Sequence, residues 1–217
     1  MRDPDEQARE LAAESLAGDD AVGWFERLYV SADQGEATVP WDVETPQQVL
    51  VDWAMQRQLD GRGRSALVVG CGLGRDAEFI AGLGFHTVAF DISPTAIRNA
   101  KRRHPESTVS YVVADLLDPP NDWHGAFDLV AESITVQSLP RRLRKEATAA
   151  VSAMVAPGGT LIVVSGVLGE DEDPDDGPPW PLTRAEIEAF STADLAPARI
   201  EEIDGRWRAE FHREETR

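Results

Sequence analysis

The chain has 217 residues, of which 42% are hydrophobic, and a formal net charge of −18 from 39 acidic and 21 basic residues. This length suits one globular domain with a sizeable core, and the charge disfavours a nucleic-acid or anionic-membrane partner. The single cysteine excludes an internal disulfide, and the first ten residues show neither an apolar signal core nor a membrane span. We therefore expect a cytoplasmic protein.

Helical spacing predicts a cap of helices at the beginning of the chain. Residues 5–18 and 21–30 both show it, and a third helical segment, 47–59, ends before the two glycines of "DGRGR". We expect residues 1–60 to form a helical cap with a long loop before its last helix.

From residue 65 onward, apolar runs of strand length alternate with helical segments. The predicted strands are "ALVVG", "HTVAF", "VSYVV", "FDLVAES" and "TLIVVSG", and an amphipathic helix over 139–155 precedes the last of them. This alternation is typical of a parallel sheet covered by helices on both faces.

The C-terminal part predicts a loop, a helix and a hairpin. Residues 169–183 are acidic and proline-rich, which favours a loop. A helix over 183–195 begins with Thr183 and Glu186 at the spacing of a capping box. The segments "PARIEEID" and "RWRAEFH" predict two antiparallel strands joined across "DGR". We expect one domain over 1–217, with an α/β core over 65–217 built on a seven-stranded, mostly parallel sheet that ends in this hairpin.

A glycine-rich turn follows the first strand of the core. Gly70, Gly72 and Gly74 lead into a helix, and Asp91 ends the next strand. Such a turn lets the backbone approach a ligand and directs unpaired N–H groups at it, while the aspartate can accept hydrogen bonds from ribose hydroxyls. The dinucleotide fingerprint needs a glycine where Arg75 stands. A ligand with a ribose is therefore expected, and a dinucleotide is disfavoured.

The stretch "VVGCGLGRDAEFIAGLGFHTVAFDIS" resembles the first motif and the ribose-binding aspartate of class I S-adenosylmethionine-dependent methyltransferases. "VVADLL" and "FDLVAES" lie where that family places residues near the adenine and near the methionine part of the cofactor. The resemblance implies a Rossmann-like class I methyltransferase fold with S-adenosyl-L-methionine as cofactor. It implies cofactor contacts from nine residues: Trp41, Gly70, Cys71, Gly72, Asp91, Ile92, Asp115, Leu116 and Glu132.

Four segments, "VPWDVETP", "GCGLGRD", "QSLPRRLR" and "DGPPWPLT", are together similar to the thiopurine and thiocyanate/halide methyltransferase branch. The loop before the Gly-Pro-Pro is longer and more acidic than in that branch, so the small-molecule acceptor stays open among sulfur, oxygen, nitrogen and halide nucleophiles. Two alternatives from other classes are an NAD-dependent oxidoreductase and a non-catalytic S-adenosylmethionine-binding protein.

Methyl transfer from a sulfonium is an in-line displacement that needs alignment and exclusion of water, and no catalytic triad. No catalytic residue is assigned. Candidate general bases for a hydroxyl acceptor are Glu132, His124 and Tyr29. Candidate substrate contacts are Trp24, Tyr29, Gln137 and Trp180. The histidines and Cys71 lack metal-ligand spacing, so no metal site is expected. The oligomeric state is left open.

Overall fold

The computed structural model describes residues 3–169, 171, 173–174 and 177–215. Four positions of the predicted acidic loop, 170, 172 and 175–176, therefore lie outside the described residues. The helices are α1 (Pro4–Ala17), α2 (Gly23–Asp33), α3 (Gln48–Gln56), α4 (Arg75–Gly82), α5 (Pro94–Arg103), α6 (Arg141–Ala153) and α7 (Arg184–Glu188). The strands are β1 (Ser65–Val69), β2 (His86–Asp91), β3 (Ser110–Val113), β4 (Phe127–Ser133), β5 (Val155–Gly166), β6 (Leu195–Ile203) and β7 (Arg206–Arg213).

The seven strands form one sheet in the order β3-β2-β1-β4-β5-β7-β6. The pairs among β1 to β5 are parallel, whereas β7 runs antiparallel to both β5 and β6. The predicted mostly parallel sheet with an antiparallel C-terminal hairpin is confirmed. The strand order reverses between β1 and β4, and open sheets of this kind bind ligands outside the carboxyl ends of the strands at that point.

Both faces of the sheet are covered, which explains the continuous apolar runs of the central strands. Leu67 and Val69 belong to one hydrophobic cluster, together with residues of α6 and α7. Ala66 and Val68 belong to a second cluster, together with residues of α3, α4 and α5. Alternate residues of β1 thus pack into two separate cores.

The helices α1 and α2 lie over the carboxyl edge of the sheet. Their buried side chains pack with Leu73 from the glycine turn and Ala96 from α5. The Glu26 carboxylate accepts hydrogen bonds from the Ser93 hydroxyl and from the backbone N–H of Thr95 at 3.1 Å. This contact fixes α2 to the first turn of α5, next to the end of β2. No helix in the described ranges is long and apolar enough to cross a membrane.

The C-terminal hairpin reaches the same edge of the sheet. Asp204 and Gly205 form its two-residue turn with φ of 49° and 73°, as the right-handed twist of paired strands favours. Because β7 pairs with β5, Arg206 lies opposite Gly166, the last residue of β5. The capping box at Thr183 is present, but α7 spans only Arg184–Glu188, shorter than predicted, since the chain must turn to enter β6.

Candidate active site

A cavity of about 840 Å³ lies along the carboxyl edge of the sheet. Its walls come from the glycine turn, from the ends of β2 and β4, from the cap, and from the hairpin turn. The volume falls within the range of small-molecule sites. Eight of the nine predicted cofactor residues line it: Trp41, Gly70, Cys71, Gly72, Asp91, Ile92, Asp115 and Leu116.

The glycine turn brings backbone to the cavity wall. Gly70, Gly72 and Gly74 have φ of 59°, 52° and 95°, a region that residues with a side chain rarely adopt. A Cβ on Gly72 would lie 2.9 Å from the Tyr29 hydroxyl oxygen. The turn therefore requires glycine at position 72 both for its conformation and for space.

Asp91 ends β2 beneath this turn. Its Oδ2 accepts a hydrogen bond from the backbone N–H of Gly72 at 2.9 Å, and its Oδ1 accepts one from Ser93 at the same distance. Burial raises the pKa of Asp91 to about 6. Because each carboxylate oxygen has two lone pairs, both can accept a further hydrogen bond from a ligand.

Two further aspartates line the cavity. The Oδ1 of Asp115 accepts a hydrogen bond from the backbone N–H of Leu117 at 2.9 Å, which orients this carboxylate just after β3. Asp76, in the first turn of α4, accepts one from the backbone N–H of Gln47 at 2.8 Å. Burial raises the pKa of Asp76. Asp76 thereby ties the start of α3 to the glycine turn.

Glu132 does not line the cavity. Its side chain shares a sheet face with Val130, in the core beneath α6. The Oε1 atom accepts hydrogen bonds from the backbone N–H groups of Thr135 and Val136 at 2.8 and 2.9 Å, and Oε2 is buried without a partner among the described residues. Burial raises the pKa of Glu132 to about 7. The structure thus gives this carboxylate a role in holding the turn after β4, instead of the predicted contact.

The turn after β4, residues 134–139, is strained and packs against the glycine turn. Ile134 has a φ of 66°, and a β-branched residue in this region costs of order 1–3 kcal/mol. The Thr135 hydroxyl donates to the carbonyl oxygen of Val69 at 3.0 Å. A Cβ on Gly70 would lie 2.2 Å from that hydroxyl oxygen. Gly70 is therefore needed for the two turns to meet, a requirement that the sequence motif alone does not express.

An aromatic cluster from the cap covers the glycine turn. The Trp41 ring nitrogen donates a hydrogen bond to the Tyr29 hydroxyl at 2.8 Å, and Trp24 stacks on Phe25 with ring centroids 4.0 Å apart. The loop that carries Trp41 is held by ion pairs from Asp42 to Arg75 and Arg103, at 2.5 and 2.6 Å. These contacts hold the loop that carries Trp41 against the glycine turn and α5.

Some of the candidate bases and substrate contacts line the cavity, and others do not. Tyr29, Trp24 and Gln137 line the cavity, whereas His124 is exposed elsewhere. Burial raises the pKa of Tyr29 well above its ordinary value, so its hydroxyl stays protonated at neutral pH. Trp180 is buried and is not among the lining residues, although its neighbours 178, 179 and 181 are. No group of three metal-ligating side chains occurs in the described part of the chain.

Comparisons with known proteins agree with this geometry. Residues 66–159 match the family model described as a methyltransferase domain. The 2-heptyl-1-hydroxyquinolin-4(1H)-one methyltransferase of Mycobacteroides abscessus is 28% identical over 186 residues, which cover 81% of this chain and 80% of that protein. The ubiquinone biosynthesis O-methyltransferase of Xanthomonas oryzae pv. oryzae is 31% identical over 135 residues. That match covers 57% of this chain and 54% of the relative, so the chain spans about half of the relative's length.

Solved structures share the fold. The N-methyltransferase NodS from Bradyrhizobium japonicum, in complex with S-adenosylhomocysteine, superposes with a TM-score of 0.65 at 21% identity, covering 86% of this chain and 98% of NodS. An S-adenosylmethionine-dependent methyltransferase from Anabaena variabilis gives 0.71 at 15% identity, covering 87% and 93%.

The fold is the Rossmann-like class I methyltransferase fold, and these matches indicate an S-adenosylmethionine-dependent methyltransferase. The predictions of enzyme class and cofactor are confirmed, and the oxidoreductase alternative is set aside.

Proposed function

We propose that the protein transfers a methyl group from S-adenosylmethionine to a small-molecule acceptor by in-line displacement. The observation that carries this proposal is one continuous cavity of about 840 Å³, which runs from the glycine turn to Gly166 and Arg206. Its size is compatible with a nucleoside cofactor and a small acceptor side by side. In this proposal residues 1–60 act as the cap of a single domain whose core is 65–217.

The residues at the glycine turn fit the cofactor's methionine and ribose parts. Gly70, Cys71 and Gly72 would line the methionine end, because the turn leaves no side chain at positions 70 and 72. Asp91 would accept hydrogen bonds from the ribose hydroxyls through its remaining lone pairs, with Ile92 beside it. The support for this assignment is that all of them line one wall of the cavity.

The adenine would lie between the loop after β3 and the cap. Asp115 is oriented by the N–H of Leu117, which leaves its carboxylate able to accept from the adenine amino group. Leu116 would contact the ring. Trp41 would close the cavity above, as its hydrogen bond to Tyr29 holds the indole in place.

When bound, S-adenosylmethionine supplies a sulfonium methyl group that a nucleophile takes up while the sulfur–carbon electron pair returns to sulfur. The chain's own residues exclude water and align the acceptor. The aromatic cluster of the cap would exclude water. The turn over 134–139 would align the acceptor, since it connects the glycine turn to Gln137. No described side chain has to accept a proton if the acceptor arrives ionised.

We infer that the acceptor nucleophile is an oxygen on a planar, largely apolar ring. Apolar side chains form much of the cavity wall outside the glycine turn itself: Val22, Phe25, Leu139, Val167, Pro178, Pro179 and Pro181. One relative is named an O-methyltransferase, and the other is named for a hydroxyquinolinone, a ring compound that carries a hydroxyl. A sulfur or halide acceptor is the second candidate, supported by the resemblance of the Pro-Trp-Asp and Gly-Pro-Pro segments to the thiopurine and thiocyanate/halide branch and by the position of Pro178 and Pro179 at the cavity.

The experiment is turnover on an acceptor panel with S-adenosylmethionine: 2-heptyl-1-hydroxyquinolin-4(1H)-one, 4-nitrophenol, catechol, thiophenol and iodide. Mass spectrometry would detect the methylated product together with S-adenosylhomocysteine. We expect methylation of at least one oxygen acceptor. Methylation of thiophenol or iodide alone would favour the second candidate. Binding of S-adenosylhomocysteine without any turnover would contradict the oxygen-acceptor proposal and favour a non-catalytic binding protein.

A further inference from the structure

We propose that the end of the cavity away from the glycine turn binds its acceptor as an anion, through the side-chain amide of Gln137 and the guanidinium of Arg206. We call this region the acceptor end and define it by Gln137, Gly166, Val167, Pro181 and Arg206, all of which line the cavity. This inference rests on the proposed function and adds the charge state of the acceptor.

The orientation of the Gln137 amide follows from its partners. Its Oε1 accepts a hydrogen bond from the backbone N–H of Gly166 at 2.5 Å and one from the Ser165 hydroxyl at 2.9 Å. A backbone N–H can only donate, so the oxygen must face Gly166 and the Nε2 group must face the other way. The residue is only 4% exposed, and no hydrogen bond from Nε2 is found within the described ranges. A buried amide with two unused donors is therefore fixed at the cavity wall.

Arg206 adds a positive charge to the same end. It pairs with Gly166 across β5 and β7, and the alternation of side chains along β7 places it on the sheet face of Arg208 and Glu210. Among the described residues that line the cavity, the cations are Arg75 and Arg206. Arg75 is paired with Asp42 at 2.5 Å, whereas Arg206 has no ion pair with another described residue. In a chain of net charge −18, a cation without a carboxylate partner at a cavity is a feature that a bound anion would explain.

The chemistry of these two groups selects the acceptor. Toward the cavity, both groups offer hydrogen-bond donors and no acceptor. Hydrogen bonds donated to a charged oxygen favour its ionised form. Among the described carboxylates that line the cavity, Asp5 and Asp204 are exposed, so solvent screens their repulsion. The acceptor hydroxyl would lose its proton to solvent, and its oxygen would then form the new bond to the methyl carbon as the sulfur–carbon bond breaks. The substrate class is an acidic hydroxyl on a conjugated ring, such as a phenol or an N-hydroxy heterocycle.

The experiment compares ionised and neutral probes on protein saturated with S-adenosylhomocysteine. Calorimetry would measure the binding of 4-nitrophenolate and of its neutral methyl ether, 4-nitroanisole, at a pH where the phenol is ionised. The variants are Gln137→Glu, which keeps the acceptor oxygen for Gly166 but replaces the donors, Arg206→Gln, and Arg206→Lys as the charge-retaining rescue. The matched controls are Gln34→Glu and Arg142→Gln, at exposed positions outside the cavity.

We expect Gln137→Glu and Arg206→Gln to weaken 4-nitrophenolate binding by about ten- to a hundredfold, with 4-nitroanisole changed by less than about threefold and Arg206→Lys intermediate. Equal losses for both probes, no loss for either, or failure of the wild-type protein to bind 4-nitrophenolate would overturn the proposal. Binding of S-adenosylhomocysteine to every variant is measured first. Its absence in the wild-type protein would overturn the proposed function instead, so the two failures are distinguishable.

Discussion

The two ends of the cavity are built in different ways. The glycine-turn end consists mainly of short sequence segments that directly follow β1, β2 and β3, and its key feature is a backbone conformation with positive φ at residues 70, 72 and 74. The acceptor end gathers Gln137 from the turn over 134–139, Gly166 from the end of β5, Val167 and Pro181 from the segment that follows it, and Arg206 from the start of β7. A change at one end should therefore alter cofactor binding, and a change at the other should alter acceptor use alone.

The largest effect is expected from Gly72→Val. The substitution places a side chain where φ is 52° and a Cβ would lie 2.9 Å from the Tyr29 hydroxyl oxygen. We expect calorimetry to show that S-adenosylhomocysteine binding weakens by more than about a hundredfold. The control is Gly63→Val, where φ is 75° but no atom lies within 4 Å of the added Cβ. If a folded Gly72→Val variant binds as the wild type does, the cofactor does not approach this turn.

The next largest effect is expected from Asp91→Ala. We expect it to lose about 1.5–3 kcal/mol in the free energy of S-adenosylhomocysteine binding, because hydrogen bonds to a charged group are lost. Asp118→Ala, at an exposed position outside the cavity, is the control. Since Asp91 also holds the N–H groups of Gly72 and Ser93, Asp91→Asn is a second variant that retains an acceptor oxygen. Unchanged affinity in both variants would remove the ribose assignment.

If Asp91 binds the ribose, the pKa of its carboxyl should make cofactor affinity depend on pH. The carboxyl has a pKa of about 6, so it becomes protonated as the pH falls below this value and loses the charge that strengthens the ribose hydrogen bonds. We expect the wild-type affinity for S-adenosylhomocysteine to fall by about tenfold between pH 8 and pH 5. The Asp91→Asn variant should show a flatter profile, and identical profiles would contradict the expectation.

Gly166→Leu tests, at the acceptor end, whether the two ends of the cavity act separately. A Cβ there would lie 3.4 Å from both Gln137 Oε1 and Pro181 Cβ, so the rest of the leucine side chain must occupy the acceptor end. We expect kcat/KM for an oxygen acceptor to fall by about ten- to thirtyfold, with S-adenosylhomocysteine affinity within about twofold of wild type. Gly82→Leu, at the end of α4 with no neighbour within 4 Å of its Cβ, is the control. A large loss of cofactor affinity in Gly166→Leu would contradict the separation of the two ends.

The smallest effect concerns stability. Burial raises the pKa of Glu132 from 4.5 to about 7 in the folded protein, so the native state binds this proton more tightly than the unfolded chain does. The free energy of unfolding should therefore fall as the pH rises from about 4.5 to about 7. Chemical denaturation at pH 5 and pH 8 should show that Glu132→Gln reduces this fall by about 2 kcal/mol. An equal fall in both proteins would show that Glu132 is not buried in this way.

The fold and the glycine-turn end could be predicted from the sequence because each rests on local patterns. Apolar runs gave the five parallel strands, and a glycine turn followed by Asp91 indicated a ribose-containing ligand. The two-residue turn at Asp204 and Gly205 was also readable, as such dipeptides favour positive φ.

The acceptor end could not be predicted in the same way, because it depends on strand pairing. That β7 lies between β5 and β6 is what brings Arg206 opposite Gly166, and no local pattern encodes this order. The sequence predicts the correct edge of the sheet for Glu132, but in the structure its side chain lies on the core face. The alternation of side chains along β4 decides this face, and the sequence does not reveal it because the strand is apolar on both faces. Gln137 was a candidate contact, but the orientation of its amide follows only from the position of the Gly166 N–H.

The most direct measurement is a calorimetric titration of S-adenosylhomocysteine into the wild-type protein, Gly72→Val and Gly166→Leu, with NAD titrated in parallel. If the two ends are separable, S-adenosylhomocysteine should bind the wild type and Gly166→Leu with similar affinity and should not detectably bind Gly72→Val. NAD should give no binding heat. Equal affinities in all three proteins, equal losses in both variants, or binding of NAD alone would contradict a cofactor that is held at the glycine turn and apart from the acceptor end.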